Sequence, residues 1–282
     1  MTNKRRLWNA AVRALVYAAA ALTVLLLVGI LGYVLYRGLP NVTPALLTQS
    51  DSVLKGTMGI FPLIVNTLCV IVLSLLIALP LGVGAAIYLT EYATNQKLIR
   101  IIEYTTETLA GIPSIIYGLV GMLILVPAIR NIFHIPDGAS LLAAIVVLAI
   151  MVLPSIIKVS LNALDAVPKE YEEASLALGA TPVETYFKVS VPAAKSGIAA
   201  AIVLGVGRAI GEAMAVMMVS GNVPNMPSLF QSVRFLTTAV ASEMSYSSGL
   251  QRQALFSIAL VLFFFIMLIN ATLNFFLKRK KD

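Results

Sequence analysis

Charge is scarce in this chain: 12% of its 282 residues are Asp, Glu, Lys or Arg, against 59% hydrophobic. Soluble domains carry about a quarter charged residues, so the deficit excludes an ordinary soluble domain and points to a bilayer. Cysteine is nearly absent. Cys69 stands alone, which excludes an intrachain disulfide or a cysteine-held metal cluster; within an apolar run it reads as a packing residue. The single histidine, His134, falls in a short loop with Pro136, Asp137 and Gly138 and reads as a solvated residue, not a proton relay. No GxxxxGK[ST] nucleotide-binding loop occurs, so any energy source must be another chain. There is no linker and no internal repeat of the kind secondary transporters often show. Residues 1–282 therefore read as one transmembrane domain.

What the chain has instead is long apolar runs. Six suffice to cross a bilayer, which takes roughly 20 helical residues: 14–36, 60–89, 108–129, 140–157, 196–220 and 254–277. The expected fold is all-α, with six transmembrane helices. The formal charge of +7 and the pI near 9.5 could suggest nucleic acid, but the positions of the cations argue against it. With six spans the termini share a side. That side holds fourteen Lys and Arg (Lys4, Arg5, Arg6, Arg13, Lys97, Arg100, Lys158, Lys169, Lys188, Lys195, Lys278, Arg279, Lys280 and Lys281). The other holds five: Arg37, Lys55, Arg130, Arg234 and Arg252. The asymmetry places both termini in the cytoplasm. The first run exceeds a signal h-region and lacks a small-x-small site near Tyr36, so it reads as an uncleaved span.

Prolines 62, 80, 113, 127 and 154 recur inside the runs, where each kinks or ends a helix unless neighbours satisfy the freed carbonyl. GVGRAIG, Gly205 to Gly211, fails as a dinucleotide loop in both spacing and context. Its Gly207 and Gly211 form a GxxxG pair, which is expected to let two helices approach closely.

Between the fourth and fifth runs, residues 165–195 break the pattern with a charged, turn-rich stretch. Pro168 suits a helix start, Lys169 to Leu178 are good helix formers, and Gly179 fits a left-handed stop. Thr181-Pro182-Val183-Glu184 reads as a capping box opening a second helix, which Pro192 is expected to stop. Five acidic residues against three basic ones make this helical pair a poor DNA reader and a better protein-docking element. Glu172 opens the stretch EEASLALG, and Glu173-Ala174-Ser175, Gly179 and Val189-Ser190-Val191-Pro192 follow at fixed spacing. These residues resemble the EAA loop of ABC-importer permeases, with Ser175, Val189 and Val191 as small departures. The resemblance implies a type I (MetI-like) importer permease whose cytoplasmic coupling helix fits a cleft in an ATPase. ATP and Mg would bind that partner, with no cofactor in this chain.

Arg208 sits near the centre of the fifth run, where an arginine costs about 2.5–3.5 kcal/mol and needs a partner or a wet cavity. Glu212, four residues on, is expected on the same helical face and can pair with it. Glu107, at the start of the third run, is a second candidate partner. An Arg–Glu latch between helices is one reading. The other is a guanidinium fork for an oxyanion, with Glu212 orienting it. IPSIIYG (Ile112 to Gly118) and GRAIGEAMAVMM resemble the phosphate-importer permeases, PstC type, over most of the chain. Arg208, Glu212, Glu107 and, at the Pro113 break, Ser114 are the candidate pathway residues, and the resemblance implies that the pathway is shared with a sibling permease (PstA type). It also implies a cytoplasmic ATPase dimer, an external phosphate-binding protein and a bacterial or archaeal plasma membrane. Permeases for molybdate, tungstate or sulfate, an ATP-independent anion channel or carrier, and a membrane scaffold remain as rival readings.

Overall fold

The computed structural model describes residues 3–52, 57–93 and 95–279. Of the cations that set the expected orientation, Lys55, Lys280 and Lys281 lie outside the described residues, as do the side chains of Lys4, Arg6, Lys278 and Arg279. Helix dominates. Among the described residues, five helices are long and apolar enough to cross a membrane, or six when the bent pair Pro182–Ala193 and Lys195–Gly211 counts as a single span.

The N-terminal helix α1, Asn3–Gly38, is longer than the run that predicts it. It lies along the C-terminal helix α14, Gly249–Arg279. Tyr33 meets the edge of Phe256 at 5.5 Å, and the Ser257 hydroxyl donates to the Gly38 carbonyl at 2.8 Å. Apart from this seam, α1 presents its apolar surface outward. A short helix α2, Pro44–Thr48, and a two-stranded ribbon, β1 (Ser50–Ser52) with β2 (Thr57–Ile60), lead into α3, Phe61–Ile87. Pro80 is accommodated inside α3.

The third predicted span is two helices. A helix α4, Gln96–Gly111, ends before Pro113, and α5, Ser114–Val120, follows it. A π-helical turn at Gly121–Leu125 then passes into α6, Val126–Phe133. Pro113 explains the break: it disfavours a helical Ile112, whose ψ is 130°, and it cannot donate to the Leu109 carbonyl. The Tyr117 hydroxyl donates to that carbonyl instead, at 2.8 Å.

The fourth span, α7, runs Leu141–Asp165, well past the predicted end at 157. The unbroken apolar run ends there, but the helix does not, so Lys158 is a helical residue and not a loop residue. α7 is the axis of the core. Ile156 is fully buried, and a Cβ at Gly82 would come within 2.7 Å of it, one at Gly205 within 3.1 Å. Apolar burial drives helices together only weakly in lipid, so such close backbone approach carries much of their association.

The fifth span is also broken. Helix α11, Lys195–Gly211, gives way at Glu212 and Ala213 to α12, Met214–Val219. The GxxxG expectation does not hold within this chain: a Cβ at Gly207 or Gly211 meets open space, whereas Gly205 packs on α7. A short helix α13, Leu236–Glu243, precedes α14 and packs on it.

Candidate functional site

Between α7 and α11 the chain builds the predicted hairpin. A helix α8, Lys169–Ala177, starts directly after Pro168. Gly179 stops it at φ 87°, donating to Leu176 O at 2.9 Å while the next N–H, of Ala180, donates to Ser175 O at 3.3 Å. That reciprocal pair closes the C-terminus with a left-handed residue, for which glycine is the least strained choice. Helix α9, Pro182–Thr185, opens with the predicted Thr181–Glu184 capping box. The Thr181 N–H and then the Lys188 ammonium hold the Glu184 carboxyl below its ordinary pKa.

Pro192 does not stop the second helix. A π-helical turn covers Tyr186–Ser190, and Pro192 then begins a short helix α10, Val191–Ala193. Lacking an N–H, Pro192 cannot serve the Lys188 carbonyl, and the wider turn before it absorbs that defect. The bend comes at Ala194, where the chain turns through 64° into α11.

The hairpin is held together by polar contacts and anchored by one aromatic side chain. The Ser190 hydroxyl donates to Glu172 Oε1 at 2.7 Å, and Ser175 and Thr185 share a hydroxyl contact of 2.9 Å. Ser175, a departure from the EAA pattern, thus ties the two helices. Tyr186 is buried beside Ala86 of α3 and Leu164 of α7. Glu173, Ala174, Gly179 and Pro192 face outward, Val189 is half-buried, and Leu178 is 90% exposed at the tip. Tyr171, Leu176, Val183 and Phe187 are exposed around it. An apolar tip with an acidic rim suits a protein cleft better than water.

The membrane charges are arranged differently from the expectation. Arg208 and Glu212 do not pair side by side along one helix, because the helix ends between them. Glu212 is extended, with ψ 129°, and its carboxylate accepts the Ala215 N–H at 2.8 Å, capping α12. The Arg208 guanidinium donates to the Ser155 hydroxyl of α7 at 2.5 Å. The three described ion pairs do not include Arg208. Glu107 is not its partner either: Glu107 Oε1 lies 2.7 Å from Lys158 Nζ. Ser114 opens α5 at the break in the third span, and no described hydrogen bond joins it to Arg208.

The two broken spans meet. Gly118 of α5 lies against Ala215 of α12, where a Cβ would come within 2.9 Å of Ala215 Cα. Both breaks lie within about one helical turn of this crossing. Tyr117, which repairs the Pro113 break, also lies within electrostatic reach of Arg208. The arrangement therefore gathers an arginine bound to a neutral hydroxyl, two discontinuous helices and a capping carboxylate. Irregular backbone at membrane depth is tolerated where it is buried in protein or lines a wet cavity.

Sequence reading missed Ser155, Lys158 and the repairing role of Tyr117. Ser155 and Lys158 are three residues apart, one turn of α7, so helical spacing could have linked them had the fourth span not been ended at 157. The Tyr117 contact followed from IPSIIYG in principle: the hydroxyl lies one turn beyond the proline whose missing donor it replaces.

Residues 78–281 match the family described as binding-protein-dependent transport system inner membrane component. The chain belongs to this family. It is 42% identical to the probable ABC transporter permease protein YqgH of Bacillus subtilis, over 75% of this chain and 71% of that protein. It is 40% identical to the phosphate transport system permease protein PstC of Pasteurella multocida, over 71% of this chain and 68% of that one. Its fold matches a chain of a bacterial ABC transporter involved in the import of the acidic polysaccharide alginate. The TM-score is 0.67 at 16% identity, covering 98% of this chain and all of the other. As an inner membrane component of an ABC importer, the protein is a multi-pass transport subunit that works with an ATPase and a binding protein. The expected importer-permease fold is the one observed: mostly helical, with one two-stranded ribbon that the expectation lacked.

Proposed function

We propose that this permease subunit carries inorganic phosphate into the cytoplasm of a bacterial cell, and that Arg208 meets the anion on the way. One observation carries the reading: a guanidinium in mid-span is held by a neutral Ser155 hydroxyl at 2.5 Å, while the carboxylate beside it in sequence caps α12. An arginine committed to a carboxylate would be a latch. One held by a hydroxyl keeps donors and full charge for an oxyanion, and its planar fork suits phosphate. The name of the Pasteurella relative supports phosphate as the cargo.

The assembly that suits this reading pairs the chain with a sibling permease of the PstA type. The hairpin is cytoplasmic and rests on an ATPase dimer that binds ATP and Mg, and an external phosphate-binding protein delivers the anion. Support for a second permease comes from α11 and the start of α12, where Leu204, Gly207, Gly211 and Met214 turn away from this chain's own core. The route would run through Arg208, Glu212, Glu107 and Ser114, where the two broken spans cross.

Uptake of radiolabelled phosphate into proteoliposomes holding all four components tests the assignment. Uptake that requires ATP and persists under excess sulfate or molybdate is expected. Uptake abolished by either competitor would move the cargo to another oxyanion.

A further inference from the structure

Lys158 and Glu107 form a 2.7 Å ion pair whose side chains are 50% and 55% exposed. Charges at membrane depth persist where a wet cavity or a partner receives them, and this pair has both. It lines a groove of about 410 Å³ between α4 and α7, with Arg100, Glu103 and Asn162 on the same walls. On α4, residues 100, 103 and 107 recur at helical spacing and share one face, so the groove presents a polar strip and not a single stray charge.

The position of Lys158 matters as much as its exposure. It lies one turn beyond Ser155, about 4.5 Å along the α7 axis, and Ser155 is the residue that holds Arg208. The step from Arg208 to Lys158 runs toward Asp165, the end of α7 that carries the coupling hairpin. Lys158 of α7 therefore lies one turn from the hydroxyl that holds Arg208 of α11, on the side of the open groove.

We propose that Lys158 is a second oxyanion site on the same route, with Glu107 as its displaceable counterion. The inference rests on the reading that Arg208 meets the transported anion. An anion leaving Arg208 is received by the Lys158 ammonium, which offers three donors as a compact point charge. Glu107 pairs with that ammonium between transport events. An exposed Lys–Glu pair opens at little cost, and the carboxylate, returning to its partner, displaces the anion toward the mouth of the groove. A latch between α4 and α7 would use the same pair for packing alone, and the two roles separate on removal of both charges.

The test uses the complete transporter in proteoliposomes with radiolabelled phosphate, with co-purification of all components as the check on assembly. Lys158→Met is expected to lower ATP-driven uptake about tenfold, the scale of one charge-assisted contact. Lys158→Arg should keep most of it. The double variant Lys158→Met/Glu107→Met should stay as low as the single one. A double variant that regains wild-type uptake would show a latch and overturn the proposal, as would an unaffected Lys158→Met. Glu107→Gln offers a second readout that does not depend on removing the lysine. Equilibrium dialysis of the solubilised complex should show several-fold tighter phosphate retention, and weaker retention would count against the site. Wild-type vesicles that take up labelled sulfate and ignore phosphate would overturn the substrate reading alone. The Lys158 variants would then be judged by sulfate uptake in the same vesicles.

Discussion

Tyr117 illustrates how a single side chain can repair a deliberate defect. Pro113 leaves the Leu109 carbonyl without its helical donor, and the Tyr117 hydroxyl reaches back to it at 2.8 Å. Removing that hydroxyl leaves the carbonyl only the longer bond from the Ile112 N–H at 3.2 Å, and the loss of one such hydrogen bond costs about 0.5–1.5 kcal/mol. Tyr117→Phe is therefore expected to lower the thermal stability of the purified permease, read as the midpoint of detergent-phase unfolding. An unchanged midpoint would mean that the Ile112 N–H alone satisfies Leu109. Arg208 was legible at this scale and its partner was not. The cost of a mid-span arginine marked it as needing company, but helical periodicity assigned that company to Glu212. The error came from continuing the helix through Gly211. No proline marks the break, and the extended backbone at Glu212 is set by packing of α12 against α5, which a single sequence does not display.

The hairpin between α7 and α11 is the element whose construction the sequence spells out most fully. Its capping box, its left-handed Gly179 and its first helix all rest on local rules that act within a few residues, and all are present. Its exit was misread because a proline can begin a helical segment as well as end one, and Pro192 does the former. Two predictions belong to this element. Gly179→Ala places a side chain at φ 87°, where a non-glycine residue costs about 1 kcal/mol or more; the hairpin should loosen, and limited proteolysis within residues 165–195 should speed up. Leu178→Asp puts a charge on the 90% exposed tip. The permease should still fold, but it should lose the ATPase in co-purification from membranes. Retention of the ATPase would remove the tip from the docking surface.

For the whole molecule, composition and hydropathy were enough to fix a polytopic helical protein, because bilayer thickness dictates the length of every span. They did not show that the third apolar run straddles the Pro113 break, that the fifth is broken at Glu212, nor that α7 is the central helix. Those facts depend on which small residues face which neighbours, as at Gly82 and Gly205 against Ile156. The same reasoning predicts an external surface. A side chain at Gly207 meets open space within this chain, so Gly207→Leu should leave the isolated subunit folded. It should lower recovery of a second permease in the purified complex, since bulk there would hold the facing helix away. Undiminished recovery would place the inter-permease contact on another helix.

The most direct test of the account compares phosphate uptake by wild type and Arg208→Lys in vesicles of the assembled transporter. Lysine keeps the charge but loses the planar two-point fork, so the account predicts uptake reduced by about tenfold or more with assembly intact. Uptake at the wild-type rate would contradict it, leaving Arg208 a helix tether to Ser155 and moving anion recognition to another residue of the route.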